Sequence, residues 1–302
     1  MLRTTSLNLS RNFIRNFNQH LVRIAEYQEQ VSSGKKLNRP SDNPSDAVVA
    51  LNIRSYRSKI EQYLRNIEDG QLRLNLAENA LNDIEDVTVR ARDIALMGVN
   101  STVNDADRQG MAIEVNQLLE HLLTLANQKT TDGYLFGGTQ TEAAPFDVVR
   151  NKSGEIESVA PHGDISGKLV RYVGPDNAVT VSADTENLLY GDQNLFQTLI
   201  DLRDALRSGD QDKINEALGS LNELHDRILG ELSEIGSKSQ YLQDRKNELD
   251  MESFEYLERL SDLEDADLTE SLIFLQQEEI AYQAALAMGA EILRNSMVNF
   301  MK

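Results

Sequence analysis

The chain has 302 residues, a net charge of −19 from 49 Asp and Glu against 30 Lys and Arg, and no cysteine. That balance disfavours a nucleic-acid partner, because a phosphate backbone needs a basic footprint. The missing cysteine excludes a disulfide, a thiolate metal site and a thiol nucleophile.

Met1 to Ser10 is polar and lacks the apolar core of a secretory signal. The periodic sequence starts near Ser6, where Leu7, Ile14, Phe17, Leu21, Ile24 and Val31 fall at a/d spacing to Ser32, with Ser10 and Gln28 filling the gaps. The remaining faces are rich in Asn and Arg, and Asn is a poor helix former. The spacing predicts a helix that is marginal alone and firms up on packing against other chains; the alternative is an ordinary coiled-coil arm packed within its own monomer. The charge agrees: residues 1–65 hold 11 Lys and Arg against 5 Asp and Glu, the rest 19 against 44. A mildly basic end on an acidic body suits a segment that packs against something else.

Periodicity breaks over Ser32-Ser-Gly-Lys-Lys-Leu-Asn-Arg-Pro-Ser-Asp-Asn-Pro-Ser-Asp46. Gly34 can end the first helix in the left-handed conformation. Pro40 and Pro44 hold the linker extended. Asn43 can cap a second helix with Pro44 at its first position and Asp46 near its positive end. In that helix Ile53, Tyr56, Ile60, Tyr63, Ile67, Leu74, Ala77, Leu81, Ile84, Ala91 and Ala95 keep the seam spacing to about Gly98, broken at Gly70 and Thr88. Its length of about 80 Å exceeds the diameter of about 50 Å of a compact globule of this size, so the expectation is a rod. A shorter helix follows, capped near Asn104, with Met111, Val115, Leu118, Leu122 and Leu125 inward.

Gly133-Tyr-Leu-Phe-Gly-Gly-Thr139 and Pro145-Phe146 come next, with tight turns at the glycines and strand or core residues between. No Lys-Ser/Thr follows the Gly pair, so a phosphate cradle is not expected. From Ala143 to Tyr190 the helical period is lost. The runs Phe146–Val149, Ile156–Val159, Leu169–Val173 and Val179–Val181, separated by turn clusters, read as a small antiparallel β module. Helices resume near Asn194 and break at Ser208-Gly209. A long period-seven helix then carries Leu221, Ile228, Ile235, Leu242, Leu249, Tyr256 and Leu263 along one edge. Its second edge is weak, so it needs a partner, and the helix ending near Gly98 supplies one. Asp267-Leu-Thr-Glu270 starts the last helix. There Leu268, Leu272, Leu275, Tyr282, Leu286, Leu293 and Phe300 make one stripe, and Ile273, Ile280, Ala284, Ala287 and Met288 lie off it. An apolar surface that wide suits a helix buried on several sides.

The fold class expected is therefore mainly α: an elongated rod of long antiparallel coiled-coil-like helices built from both chain ends, with a small β-rich domain inserted in the middle. Residues 1–40 and 268–302 would be terminal helical arms, 41–142 and 192–267 the helical rod, and 143–191 the β-rich, outward-facing insert. The longest late uncharged run, Ile280 to Ala290, is 11 residues, short of the roughly 20 that span a membrane.

The whole chain resembles the flagellin superfamily. The resemblance is carried by Gly34, Asn38, Arg39, Pro40, Asp42 and Pro44 of the first linker. It is carried equally by Gly133, Tyr134, Leu135, Phe136, Gly137, Pro145 and Phe146 before the β region, and by Leu268-Thr-Glu-Ser-Leu through Gln276-Gln277 and Ala284. The Arg-Pro-Ser-Asp-x-Pro form is similar to that branch of the superfamily whose members sit at the junction of hook and filament. The Met-Ala-x-Val-Ile-Asn start and Val-Leu-x-Leu-Leu finish usual in flagellin proper are absent here.

The resemblance implies a structural adaptor of the bacterial flagellum, joining hook-associated proteins at the hook end to the flagellin filament. The alternative is a flagellin-type filament subunit; a cytoplasmic coiled-coil scaffold is a third class. The arms are then poorly ordered before assembly and make the intersubunit interface, through Leu7, Ile14, Phe17, Leu21, Ile24, Leu275, Tyr282, Leu286, Leu293 and Phe300. The implied partners are the first hook-associated protein, flagellin and copies of the chain in a ring, with a cytoplasmic export chaperone at the C-terminal region. The implied location is extracellular, in the flagellum, reached by type III export. No nucleic acid and no membrane insertion are expected.

Nothing in the pattern calls for catalysis. His20, His121, His162 and His225 are scattered, with no H-E-x-x-H and no calcium-loop pattern. Asp210 and Asp212 read as a helix start. Ser-based catalysis has no G-x-S-x-G. No enzyme activity, cofactor or metal is expected.

Overall fold

A computed structural model describes the backbone of residues 2–100, 103–131, 133–184, 186–191 and 193–300, with side chains for these except 2–10, 186 and 292–300. The protein is mainly α with a small β insertion. Its elements are α1 (Leu2–Ser33), α2 (Pro44–Gly98), α3 (Asp105–Ala126), β1 (Lys129–Thr130), β2 (Gly133–Tyr134), β3 (Phe146–Arg150), β4 (Ile156–Pro161), β5 (Val170–Gly174), β6 (Asn177–Thr180), a π-helical turn (Glu186–Tyr190), α4 (Leu195–Ser208), α5 (Gln211–Glu264) and α6 (Leu268–Phe300). They form two compact units: residues 1–59 with 251–302, and residues 60–250.

In the second unit the period-seven edge of α5 is the core. Leu221, Ile228, Ile235 and Leu242 are fully buried and Leu249 nearly so. They pack on α2, whose Ile67, Leu74, Leu81 and Ile84 are also fully buried. Polar pairs fix the antiparallel register: Lys246 to Glu68 at 2.9 Å and Gln71 to Gln243 at 3.2 Å. Each break in the α2 seam has a physical reason. A Cβ on Gly70 would lie 3.0 Å from Val181 Cγ1 and 3.3 Å from Leu242 Cδ1, so the missing side chain lets the insert and α5 approach. Thr88 is buried, and its hydroxyl donates to its own helix at Ile84 O, 2.8 Å away.

The helix ends follow local chemistry. Asn104 and Asn194 accept from the amides of Asp107 and Gln197 and cap α3 and α4, and Gly209, at φ 71°, closes α4 in the left-handed conformation. Asp210 accepts from the Lys213 amide at 3.2 Å and starts α5.

Among the described residues the β region is three separate two-stranded antiparallel hairpins, not one sheet. The pair β3–β4 lies on α3 and α4. Asn127 holds Phe146 at both backbone groups, each bond 3.0 Å, and the Phe146 ring packs on Phe196 at 5.1 Å. Arg203, almost fully buried, donates to Ile156 O at 2.8 Å and Asn116 Oδ1 at 3.1 Å. Arg207 forks onto Glu155 at 2.5 and 3.0 Å. The pair β5–β6 is tied to α2 by Arg171–Asp69 at 2.5 Å and to α5 by Arg245 on Val173 O at 3.1 Å. The short hairpin β1–β2 is an addition to the sequence reading, because two-residue strands carry no alternation to read.

The seam predicts that Leu242→Ala costs about 2–4 kcal/mol in chemical denaturation, since its neighbours close the cavity only in part. The Glu155 carboxyl is pushed down to about 2 by its hydrogen bonds from Arg207, against an ordinary value of 4.5. A folded-state value below the unfolded one stabilises above the unfolded value and is lost as pH falls through the folded one. Thermal unfolding measured from pH 5 to pH 2 should therefore fall less steeply in Arg207→Gln than in the parent.

Candidate functional site in the first unit

The first unit is built from the two chain ends. Helices α1 and α6 run antiparallel, and the contacts climb in step. Phe13 meets Gly289, Phe17 meets the Tyr282 ring at 4.8 Å, His20 Nδ1 lies 2.6 Å from Glu278, and Tyr27 meets Phe274 at 5.6 Å. At the end of the run Ser271 donates to Gln30 at 3.3 Å. A Cβ on Gly289 would lie 2.4 Å from Phe13 Cζ, so this glycine is the space that Phe13 fills. Hydrogen bonds from His20 and then Arg23 hold the Glu278 carboxyl below the usual carboxylate range, against the opposing effect of burial.

The pairing divides the arm residues named from sequence. On α1 the face toward α6 is Phe13, Phe17, His20 and Tyr27. One step round the helix, Ile14 is 53% exposed, Leu21 41% and Val22 57%. On α6, Tyr282 and Leu275 are half-buried, while Leu272, Ile273, Ile280, Leu286 and Met288 are exposed. Ile24 is half-buried. The side chains of Leu7, Leu293 and Phe300 lie outside the described residues. Two overlapping three–four patterns run along α1, and the aromatic one beginning at Phe13 is the pattern α6 covers. The aromatic spacing Phe13, Phe17, Tyr27 was the available signal. Gly289 was another, since a lone glycine in an apolar helix often marks close packing.

The linker between α1 and α2 anchors the pair. Gly34, at φ 73°, takes the left-handed cap, and its amide donates to Gln30 O at 2.8 Å. Its carbonyl then accepts from the Ala266 amide at 2.9 Å, while the Lys36 amide donates to Glu264 O at 2.7 Å. Lys36 Nζ reaches Asp262 O at 2.6 Å. The Glu264 carboxylate, 3% exposed, accepts from Lys35 at 2.8 Å and Arg54 at 2.7 Å. Burial works to raise its pKa, and the two cations outweigh that and hold it below the usual carboxylate range. Asp42 accepts from the amides of Asn38 (3.1 Å) and Arg39 (2.7 Å), and the Asn38 side chain donates to Lys35 O at 3.0 Å. Arg39 pairs with Glu29 at 3.1 Å. Pro40 lies in the exposed turn and Pro44 opens α2, where Asn43 accepts from the Asp46 amide at 3.3 Å. The linker motif is thus a clamp that docks the start of α2 on the turn between α5 and α6. Glu264, its central acceptor, had no sequence signal among 49 carboxylates.

The second group of motif residues is in the other unit and makes no part of this clamp. Gly133, at φ 112°, leaves room for Thr141 O, and Tyr134 N–H donates to that oxygen at 2.9 Å. Leu135 and Phe136 are buried, and Arg73 donates to Leu135 O at 3.3 Å. At Gly137 a Cβ would lie 2.4 Å from Gln140 O. Pro145 is buried beside Phe146, its carbonyl accepting from His162 N–H at 2.7 Å. These residues brace the insert.

Among the described residues no cluster of three or more His, Cys, Asp or Glu is placed to hold a metal, and no helix is long and apolar enough to cross a membrane. What the arrangement offers chemically is apolar helix surface on an anchored pair.

A model of the bacterial flagellin N-terminal helical region matches residues 5–141. Flagellar hook-associated protein 3 of Escherichia coli K12 is 33% identical over 149 residues, 48% of this chain and 46% of that protein. A flagellin of Clostridium tyrobutyricum is 26% identical over 204 residues, 63% of this chain and 54% of that protein. The chain spans about half the length of these curated relatives. A structure assigned as a flagellar hook-associated protein of Vibrio parahaemolyticus has a TM-score of 0.66 at 23% identity, over 74% of this chain and all of that one, which is a likeness of fold.

For the clamp, Glu264→Ala should speed hydrogen exchange at the Lys36 and Ala266 amides about tenfold or more. A lost charge-assisted contact of about 1.5 kcal/mol, discounted for the half-exposed cations, gives that factor.

Proposed function

We infer that this chain, which resembles hook-associated protein 3 within the flagellin superfamily, is a structural adaptor of the bacterial flagellum. It joins hook-associated proteins at the hook end to the flagellin filament. One observation carries the reading: α1 and α6 are clamped as a pair yet each keeps a second apolar stripe in solvent, Ile14, Leu21 and Val22 on one and Ile273, Ile280 and Met288 on the other. Contiguous apolar surface of this kind marks a protein contact, and burying it between copies contributes roughly 1.5–3 kcal/mol per large side chain. Repetition around a ring turns weak contacts into avidity.

In this reading residues 1–40 and 268–302 are the assembly arms, 41–142 and 192–267 carry them, and 143–191 face outward. The chain acts without catalysis or cofactor. Its partners are the first hook-associated protein, flagellin and its own copies. It leaves the cell by flagellar type III export, with a chaperone guarding its C-terminal region beforehand, and works outside the cell at the junction.

The second reading is a filament subunit, favoured by the match to the Clostridium flagellin over 63% of the chain. Electron microscopy of a strain lacking the gene separates the two. Hooks without filaments, with flagellin lost to the medium and the protein scarce in purified filaments, is the expected outcome. Abundance in the filament itself, with normal hooks, would support the second reading.

The arm assignment adds a prediction. Phe17→Asp places a charge beside Tyr282 and should abolish motility while leaving the unfolding of residues 60–250 unchanged. Full motility would count against the arms.

A further inference from the structure

The first unit presents two solvent-facing stripes of opposite charge. On α1, Ile14, Leu21 and Val22 lie on the side turned away from α6, and Arg11 and Arg15 flank them, all exposed. Residues 11–23 contain no Asp or Glu, and of their bases His20 and Arg23 already bond Glu278, which leaves Arg11 and Arg15 to give this side its positive charge. On α5, Met251, Phe254 and Leu257 are 64%, 67% and 46% exposed. They lie opposite the face formed by Leu249, Tyr256 and Leu263, and Glu255, Glu258 and Asp262 line them, all exposed. In residues 251–262 there are four acids, Glu252, Glu255, Glu258 and Asp262, against the single base Arg259. The helical repeat accounts for both: residues three or four apart share a face. The period-seven pattern that marks the buried edge of α5 says nothing of this outer one.

We propose that these stripes bind each other between copies: the basic apolar stripe of α1 in one copy seats on the acidic apolar stripe of α5 in the next. Charge complementarity selects the occupant. Two α1 stripes would repel each other, as would two α5 stripes, so an isologous contact through either is disfavoured. A stripe meeting a different stripe is a heterologous contact, which propagates into rings or helical arrays rather than stopping at a dimer. The exposed surface of α6 is the weaker acceptor. It carries Glu270, Glu278, Glu279 and Glu291 over twice the length, and Glu278 already bonds His20 and Arg23. The proposal rests on the chain assembling into the flagellum and names the surface through which neighbouring copies meet.

Because the chain has no cysteine, single cysteines report the contact cleanly. Two differently tagged full-length chains, Arg15→Cys in one and Glu258→Cys in the other, are expressed together in flagellated cells, and purified flagella are treated with a short bismaleimide. The expected result is a cross-linked species carrying both tags. It should be weakened about tenfold by adding Arg11→Glu to the first chain and restored by adding Glu255→Lys to the second. Tagged chains present in the flagella without the mixed species, or a mixed species formed equally well with Glu279→Cys in place of Glu258→Cys, would overturn the surface while leaving the flagellar role intact. Tagged chains absent from flagella, with both variants folded by circular dichroism, would overturn the surface and the role together.

Discussion

A helix paired with one partner covers one of its faces, and α1 and α6 each have more apolar surface than one face holds. Within the chain they cover the aromatic row from Phe13 to Tyr27 and its opposite numbers Phe274, Tyr282 and Gly289. The remainder stays in water. In the second unit Ile67, Leu74, Leu81 and Ile84 of α2 and Leu221, Ile228, Ile235 and Leu242 of α5 are turned fully inward.

The clamp makes the exposed surface usable. Two helices held by one face alone could slide or rotate past each other. Here the backbone bonds of Gly34 and Lys36 to Ala266 and Glu264, with the Lys35–Glu264–Arg54 bridge, fix where α1 leaves and where α6 begins. The buried carboxylate is satisfied on both oxygens, which is the condition for such a group to hold geometry rather than disturb it. The stripes are thereby set at a defined height and rotation. A short loop of small, polar and proline residues thus does what an apolar core does elsewhere.

Much of this was legible in the sequence because it depends on periods. One residue in seven along α5 identified Leu221 to Leu249, and short apolar runs between turn clusters located the strands beginning at Phe146 and Ile156. Capping chemistry placed a helix start at Asn104. What depends on choosing between equal patterns was not legible. Ile14 and Phe13 each begin an acceptable seam on α1, and only the partner helix decides between them. Glu264 looked like any other surface carboxylate. Gly70 read as a flaw in the seam and proved to be the gap into which Val181 of the insert and Leu242 of α5 both pack. The outer stripe of α5 was hidden by the regularity of the inner one.

The pairing order is nested: α3 packs with α4, α2 with α5, and α1 with α6. The contact that closes last in sequence joins residues about 270 apart, such as Phe13 and Gly289. A ribosome makes Phe13 about 270 residues before its partner, so α1 waits through that stretch of synthesis for the surface it packs on. Loop closure over that separation is entropically the dearest in the molecule, though its cost grows only slowly with length. No strand need be threaded through another. The connectivity thus makes a chain that can be opened from its ends inward and closed again in the opposite order.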